Sequence, residues 1–138
     1  MAIKQISVFL ENTAGRLAEV TGLLGKNGIN LRAITIADTA DFGILRIIAD
    51  NPDKALSTLE EHGFTAKATE VLGVEVSDKP GGLAEIMDVF NSNGVNIEYL
   101  YATLERNIDQ AVVIFKVDDI EKGLRIIEKE GLTAIAGF

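Results

Sequence analysis

The chain contains no cysteine. A disulfide scaffold, a thiolate metal site and a cysteine nucleophile are therefore excluded together. Its single histidine, His62, has neither a second histidine nor a cysteine to share a metal with, so no metal ligand is expected. Basic residues are scarce: 13 Lys and Arg stand against 21 Asp and Glu, a net charge of −8. A phosphate-backbone partner needs clustered Lys and Arg, so nucleic acid is not an expected partner. Uninterrupted apolar runs extend only a few residues, too short to span a bilayer, and no membrane partner is expected. The first ten residues are too short and too polar a run for a signal peptide before Glu11, so the expected location is cytoplasmic. What the chain does have is 47% hydrophobic residues, ample for a folded core.

The chain also has a repeat. Shifting the sequence by 66 positions lays Asn12–Leu31 over Asp78–Ile97, and seven of those twenty positions are identical, among them Gly15/Gly81, Leu17/Leu83, Asn27/Asn93, Gly28/Gly94 and Asn30/Asn96. Chance gives about one, and self-similarity at a fixed offset settles the architecture before anything else. The 138 residues accordingly read as two domains, 1–69 and 70–138. Units of that size have small cores and lean on each other or on a partner.

Each copy reads strand, helix, strand, strand, helix, strand. In the first, Ile6, Val8 and Leu10 alternate with Gln5, Ser7 and Phe9, a strand period. Asn12 is the expected N-cap of the helix that follows, and Gly15 permits the tight turn into it. Leu17, Val20 and Leu24 recur at helical spacing until Asn27-Gly28 stops the helix. Strands are expected over Asn30–Ala37 and Gly43–Ala49, a helix opening at Asn51-Pro52-Asp53 and ending at Gly63, then a strand over Phe64–Thr69. In the second copy the strands are Val71–Ser77, Ile97–Thr103, Gln110–Val117 and Leu132–Ala136. Its helices are Leu83–Ser92, with Leu83, Ile86 and Phe90 inward, and Asp119–Glu130. The connection Leu104–Asp109 carries two extra residues, because Gly63 aligns with Gly131 at an offset of 68. The expected fold class is α+β: two ferredoxin-like βαββαβ units, each a sheet with helices on one face.

The turn after each first strand contains glycine and opens a helix. Its free N–H groups and the positive helix end suit a carboxylate, such as that of an amino acid. The plainer reading is that Asn or Asp caps a helix there and glycine permits a turn, without a ligand. Asn30 and Asn96 read as turn residues of their own unit, and Tyr99 and Tyr101 as packing on one strand face. Arg46 in an apolar strand calls for an internal salt bridge. His62 sits at a helix end, and Glu60-Glu61 and Glu128/Glu130 read as solvated faces.

These residues also carry a resemblance. The loop Asp78-Lys-Pro-Gly-Gly-Leu-Ala-Glu, its helix and Asn93-Gly-Val-Asn-Ile97 resemble the signature of ACT domains, small amino-acid-sensing regulatory modules of metabolic enzymes. The first copy matches through Asn12-Thr-Ala-Gly-Arg-Leu-Ala-Glu19 and Asn27-Gly-Ile-Asn-Leu31. The resemblance covers essentially the whole chain, which looks like the stand-alone tandem ACT proteins with no enzyme attached. It implies modules packed side by side and an effector at the seam, between one module's first loop and the neighbouring module's second strand. It further implies a small amino acid as ligand, a homodimer, a regulated enzyme as partner, and neither catalytic residues nor a cofactor. On this resemblance Asn12, Ala14, Gly15, Arg16 and Leu17 form one ligand loop, and Asp78, Pro80, Gly81, Gly82 and Leu83 its twin. Asn12 or Asp78 then accepts from an α-ammonium, while Asn30, Asn96, Tyr99 and Tyr101 meet the ligand from the neighbouring module. The twins differ where Arg16 stands against Gly82 and Thr13-Ala14 against Lys79-Pro80, so they need not bind alike.

Two other functions fit the fold class. One is a ligand-free structural module that oligomerises through its sheet edges. The other is an acylphosphatase-like hydrolase, but the glycine-glutamine-glycine turn leading to Phe-Arg that such enzymes carry is absent, and the second copy lacks the arginine.

Overall fold

The computed structural model describes residues 2–104 and 110–135. Residues 105–109 of the long connection and Ala136 of the expected last strand lie outside them. The chain divides into two compact units, Lys4–Thr69 and Met1–Ile3 with Glu70–Phe138.

The N-terminal unit runs β1 (Ile3–Glu11), α1 (Arg16–Lys26), β2 (Leu31–Asp38), β3 (Phe42–Ala49), α2 (Pro52–Glu61) and the opening of β4 (Thr65–Ser77). Its strands lie in the order β2-β3-β1-β4. The apolar β3 is indeed an inner strand, antiparallel to β1 through Ile6↔Ile47 and Val8↔Leu45 and to β2 through Ile34↔Ile47. Alternation along β1 places Ile6, Val8 and Leu10 in one core with Val20 and Leu24 of α1 and Leu59 of α2. The other β1 face carries Gln5 and Ser7, both buried, with the Gln5 amide 3.3 Å from Ser7 Oγ.

The C-terminal unit contains the rest of β4, then α3 (Gly82–Ser92), β5 (Ile97–Ala102), β6 (Gln110–Val117), α4 (Ile120–Lys129) and β7 (Ala134–Ile135). Strand β6 lies between β5 and β4, with β7 also against β4. Leu72, Val74, Phe115 and Val117 meet Phe90 of α3 and Ile127 of α4. The Phe90 and Phe115 rings lie 5.6 Å apart, tilted by 53°.

Several expectations need correction. The strands expected at Phe64–Thr69 and Val71–Ser77 are one strand of 13 residues, because Thr69-Glu70-Val71 contains neither glycine nor proline to break it. Leu83 is not inward: it is 38% exposed, and Leu17 is 44% exposed. Helical side chains lean toward the N-terminus, so a leucine in the first turn leans out over the preceding loop instead of over the core. The helix stops stand as expected, with Gly28 and Gly94 both at φ 71°. The two copied asparagines before them act alike: the side-chain amides of Asn27 and Asn93 each donate to the carbonyl four residues back, at 2.8 Å.

Candidate functional site

Among the described residues, the four helices fall into two kinds at their N-termini. α2 and α4 are capped by side chains: Asn51 Oδ1 accepts from Lys54 N at 3.2 Å and Asp119 Oδ1 from Lys122 N at 3.1 Å. α1 and α3, the helices opened by the repeated loop, have no side-chain cap. Each has instead a glycine at the cap position in the left-handed region, Gly15 at φ 90° and Gly81 at φ 85°. Asn12 is thus not the N-cap of α1. It sits three residues too early, and its side-chain amide donates to Ala40 O at 3.4 Å, tying the loop to the β2–β3 turn. Its backbone N–H makes a second tie, to Asp41 O at 2.9 Å. A left-handed glycine reverses the chain in the space where a capping side chain would otherwise fold back onto the helix. The first-turn N–H groups of α1 and α3 have no side-chain acceptor at the positive end of the helix; the first of them, Arg16 N and Gly82 N, turn back to Thr13 O at 3.4 Å and Lys79 O at 3.0 Å.

Beyond that shared plan the loops differ. Arg16 begins α1. Its Nη1 lies 2.8 Å from Glu19 Oε2, and its guanidinium carbon is 4.9 Å from the centre of the Phe64 ring. These contacts hold the cation in one orientation. Its Nε is buried and has no hydrogen-bond partner. Two cavities adjoin it. One, about 60 Å³, is lined by Leu10–Thr13, Arg16, Leu17, Ile36, Asp38 and Gly43. The other, about 220 Å³, is lined by Phe9, Leu10, Glu11, Arg16, Phe42 and the turn Gly63-Phe64-Thr65. The second copy has Gly82 in place of Arg16. Gly82 is buried, and a β-carbon there would lie 2.0 Å from Ser77 O. The start of α3 therefore closes onto the end of β4 at the position from which Arg16 projects in the first copy.

Of the residues singled out in the sequence, Asn12, Arg16 and Leu17 meet at one cavity, while Ala14 and Gly15 are exposed loop residues beside it. Asp78, Pro80, Gly81 and Leu83 are exposed on the twin loop. Asn30 and Asn96 stand at the other ends of α1 and α3, about 16 Å away along an 11-residue helix. Their backbone N–H groups donate to Asp50 Oδ1 at 3.0 Å and Asp118 Oδ1 at 3.1 Å, the same tie in both copies. Tyr99 and Tyr101 lie opposite Lys116 and Ile114, on the face of β5 away from the Phe115 and Val117 core; Tyr101 is buried and Tyr99 half-buried. His62 is the C-cap residue of α2, its Nδ1 2.9 Å from Thr58 O. Arg46 is half-buried between Ser7 and Thr35 on neighbouring strands. Among the described residues no group of His, Cys, Asp and Glu is placed to hold a metal. Sequence reasoning missed Glu11, Phe9, Phe42 and Phe64. A signal was present: Phe9 occupies the outward phase of an alternating strand, where a polar residue is expected.

A family model described as an ACT domain pair matches residues 1–137. The acetolactate synthase small subunit of Buchnera aphidicola is 38% identical over 59% of this chain and 52% of its own length, so the chain spans about half of that relative. A probable acetolactate synthase small subunit of Archaeoglobus fulgidus is 24% identical, covering 94% of each chain. Among solved structures, a Bacteroides thetaiotaomicron protein is 39% identical over 98% of this chain and 92% of that one, with a TM-score of 0.92. The ligand-free regulatory subunit of aspartate kinase from Thermus thermophilus is 21% identical over 91% of both chains, with a TM-score of 0.68, a likeness of fold.

Proposed function

Because the chain belongs to the ACT domain pair family, we propose that it is a non-catalytic regulatory protein that binds a small amino acid and passes that signal to a separate enzyme. The observation that carries this reading is the pairing of left-handed glycines with uncapped helix starts in both copies of the loop. An amino acid's carboxylate is the complement to such N–H groups, and the helix dipole favours it further. The ligand loops are residues 12–17 and 78–83. The relatives named as acetolactate synthase small subunits suggest the partner: the catalytic chain of an enzyme of small-metabolite synthesis. Ligand acts on that partner only through its unequal affinity for two states of the protein. The working form is a homodimer in the cytoplasm. Among the described residues, no helix is long and apolar enough to cross a membrane.

Thermal unfolding against the twenty amino acids at several millimolar tests the reading. A ligand at a hundred times its Kd adds about 2.7 kcal/mol. For a chain of 138 residues melting as one unit, that is several degrees. One or a few amino acids should raise the melting temperature. A flat panel on well-folded protein would sink the proposal.

A further inference from the structure

We infer that Asn27, in the Asn27-Gly28 step that stops α1, is a site of spontaneous deamidation gated by unwinding of that helix end, and that its twin Asn93-Gly94 is the protected copy. The inference stands apart from the amino-acid reading above.

The sequence has two Asn-Gly steps, and each closes a helix opened by the repeated loop. A glycine nitrogen is the least hindered nucleophile of the backbone, since no side chain shields it. The reaction needs only water. Gly28 N gives its proton to hydroxide and bonds to Asn27 Cγ, while the Cγ–Nδ2 bond breaks and ammonia leaves with a proton from water. Water then opens the five-membered imide at either carbonyl, leaving aspartate or isoaspartate.

The folded helix stop blocks this step in both copies. Gly28 N donates to Gly25 O and Gly94 N to Asn91 O, each at 3.1 Å. The side-chain amides of Asn27 and Asn93 are held by Leu23 O and Val89 O at 2.8 Å. With ψ at 13° for Asn27 and 7° for Asn93, the glycine nitrogen nearly eclipses the asparagine's own nitrogen and lies away from its side chain. The ring closes only after the last helical turn has opened.

The two copies part in how readily that turn opens. The last two turns of α1 carry Gly22 and Gly25, both exposed, with nothing within 4 Å of their would-be β-carbons. Each glycine weakens the helix and packs against nothing. Asp88 and Asn91, less costly in a helix than glycine, stand at the matching places in α3. The end of α3 is also pinned by Phe90, its buried ring 5.6 Å from that of Phe115, where α1 has the smaller Leu24. A cation serves both ends, Lys26 on α1 itself and Lys122, whose Nζ donates to Gly94 O at 3.4 Å. Backbone and packing, not charge, therefore separate the two. A carboxylate formed at position 27 would face the negative end of α1 and lose the bond to Leu23 O, so the end would stay loosened.

Ageing the purified chain at mildly alkaline pH, then peptide mapping by mass spectrometry with isoaspartate resolved by chromatography, tests the inference. The same chain aged in urea gives each step its unfolded rate, which divides out the effect of neighbouring residues. Relative to those rates, Asn27 in the folded protein should react about fivefold faster than Asn93. Gly22→Ala and Gly25→Ala, each checked as folded by circular dichroism, should slow Asn27 by about threefold and leave Asn93 unchanged. Equal protection of the two steps, faster reaction at Asn93, or a rate at Asn27 indifferent to both alanines would overturn the inference. So would an intact Asn27 after ageing long enough to consume the unfolded step many times over.

Discussion

Replacing Gly82 with alanine adds one methyl group where the backbone leaves no room for it. The new β-carbon would lie 2.0 Å from Ser77 O and 3.0 Å from the Ser77 carbonyl carbon. Contacts between such atoms settle at roughly 3.5 Å, so the start of α3 and the end of β4 must part by more than about 1 Å. Neither side is a rotamer that can swing away. Ser77 is paired with Gln110 and accepts from Lys79 N at 2.9 Å, and Gly82 N donates to Lys79 O at 3.0 Å. Overpacking costs about 1–3 kcal/mol. With backbone yielding and one turn hydrogen bond weakened, about 3 kcal/mol is the expected loss. An unfolding entropy of about 0.29 kcal/mol/K, from roughly 2.1 cal/mol/K per residue, turns this into a melting temperature lower by about 10 °C. Circular dichroism melts of wild type and Gly82→Ala measure it. A variant that melts within about 2 °C of wild type would refute the claim that α3 is closed onto β4 at this point.

Gly22, inside α1, has nothing within 4 Å of its would-be β-carbon and no positive φ. Gly22→Ala should therefore stabilise by about 0.5–1 kcal/mol in the same melts, the opposite sign from Gly82. Asn51→Ala and Asp119→Ala each remove a side-chain cap and should cost about 1 kcal/mol, measured by urea unfolding, whereas Asn12→Ala, which removes no cap, should cost less. Phe90→Ala empties a fully buried ring site against Phe115 and should cost about 3–5 kcal/mol.

The repeat, the order of elements and the helix stops were legible because each has a local cause. Gly28 and Gly94 end helices by backbone conformation, and the alternation of Ile6, Val8 and Leu10 names the buried face without knowing its partner. Asn12 was misread because an asparagine just before a helix and a left-handed glycine at its start both suit an N-terminus. Only the fold tells that Gly15 takes the cap and frees Asn12 for the β2–β3 turn. The difference between Arg16 and Gly82 was visible as two letters. Its consequence was not, since the clash with Ser77 O depends on how closely a helix meets a strand end. Phe42 joined no pattern, and Phe9 only the strand alternation, because Arg16 and the Gly63–Thr65 turn beside them are far apart in the chain.

The uneven capping of the helices has a consequence for local order. α2 and α4 are completed by side chains, whereas α1 begins without a side-chain cap, the N–H of Arg16 turning back to Thr13 O at 3.4 Å. Its first turn is then the part of the helix that unwinds most readily, for a helix end without a cap is held by few bonds. An anion seated there would take the place of the missing side chain and wind that turn tight. Under the proposed function, ligand concentration would thereby set the persistence of the first turn of α1, the turn that Arg16 begins.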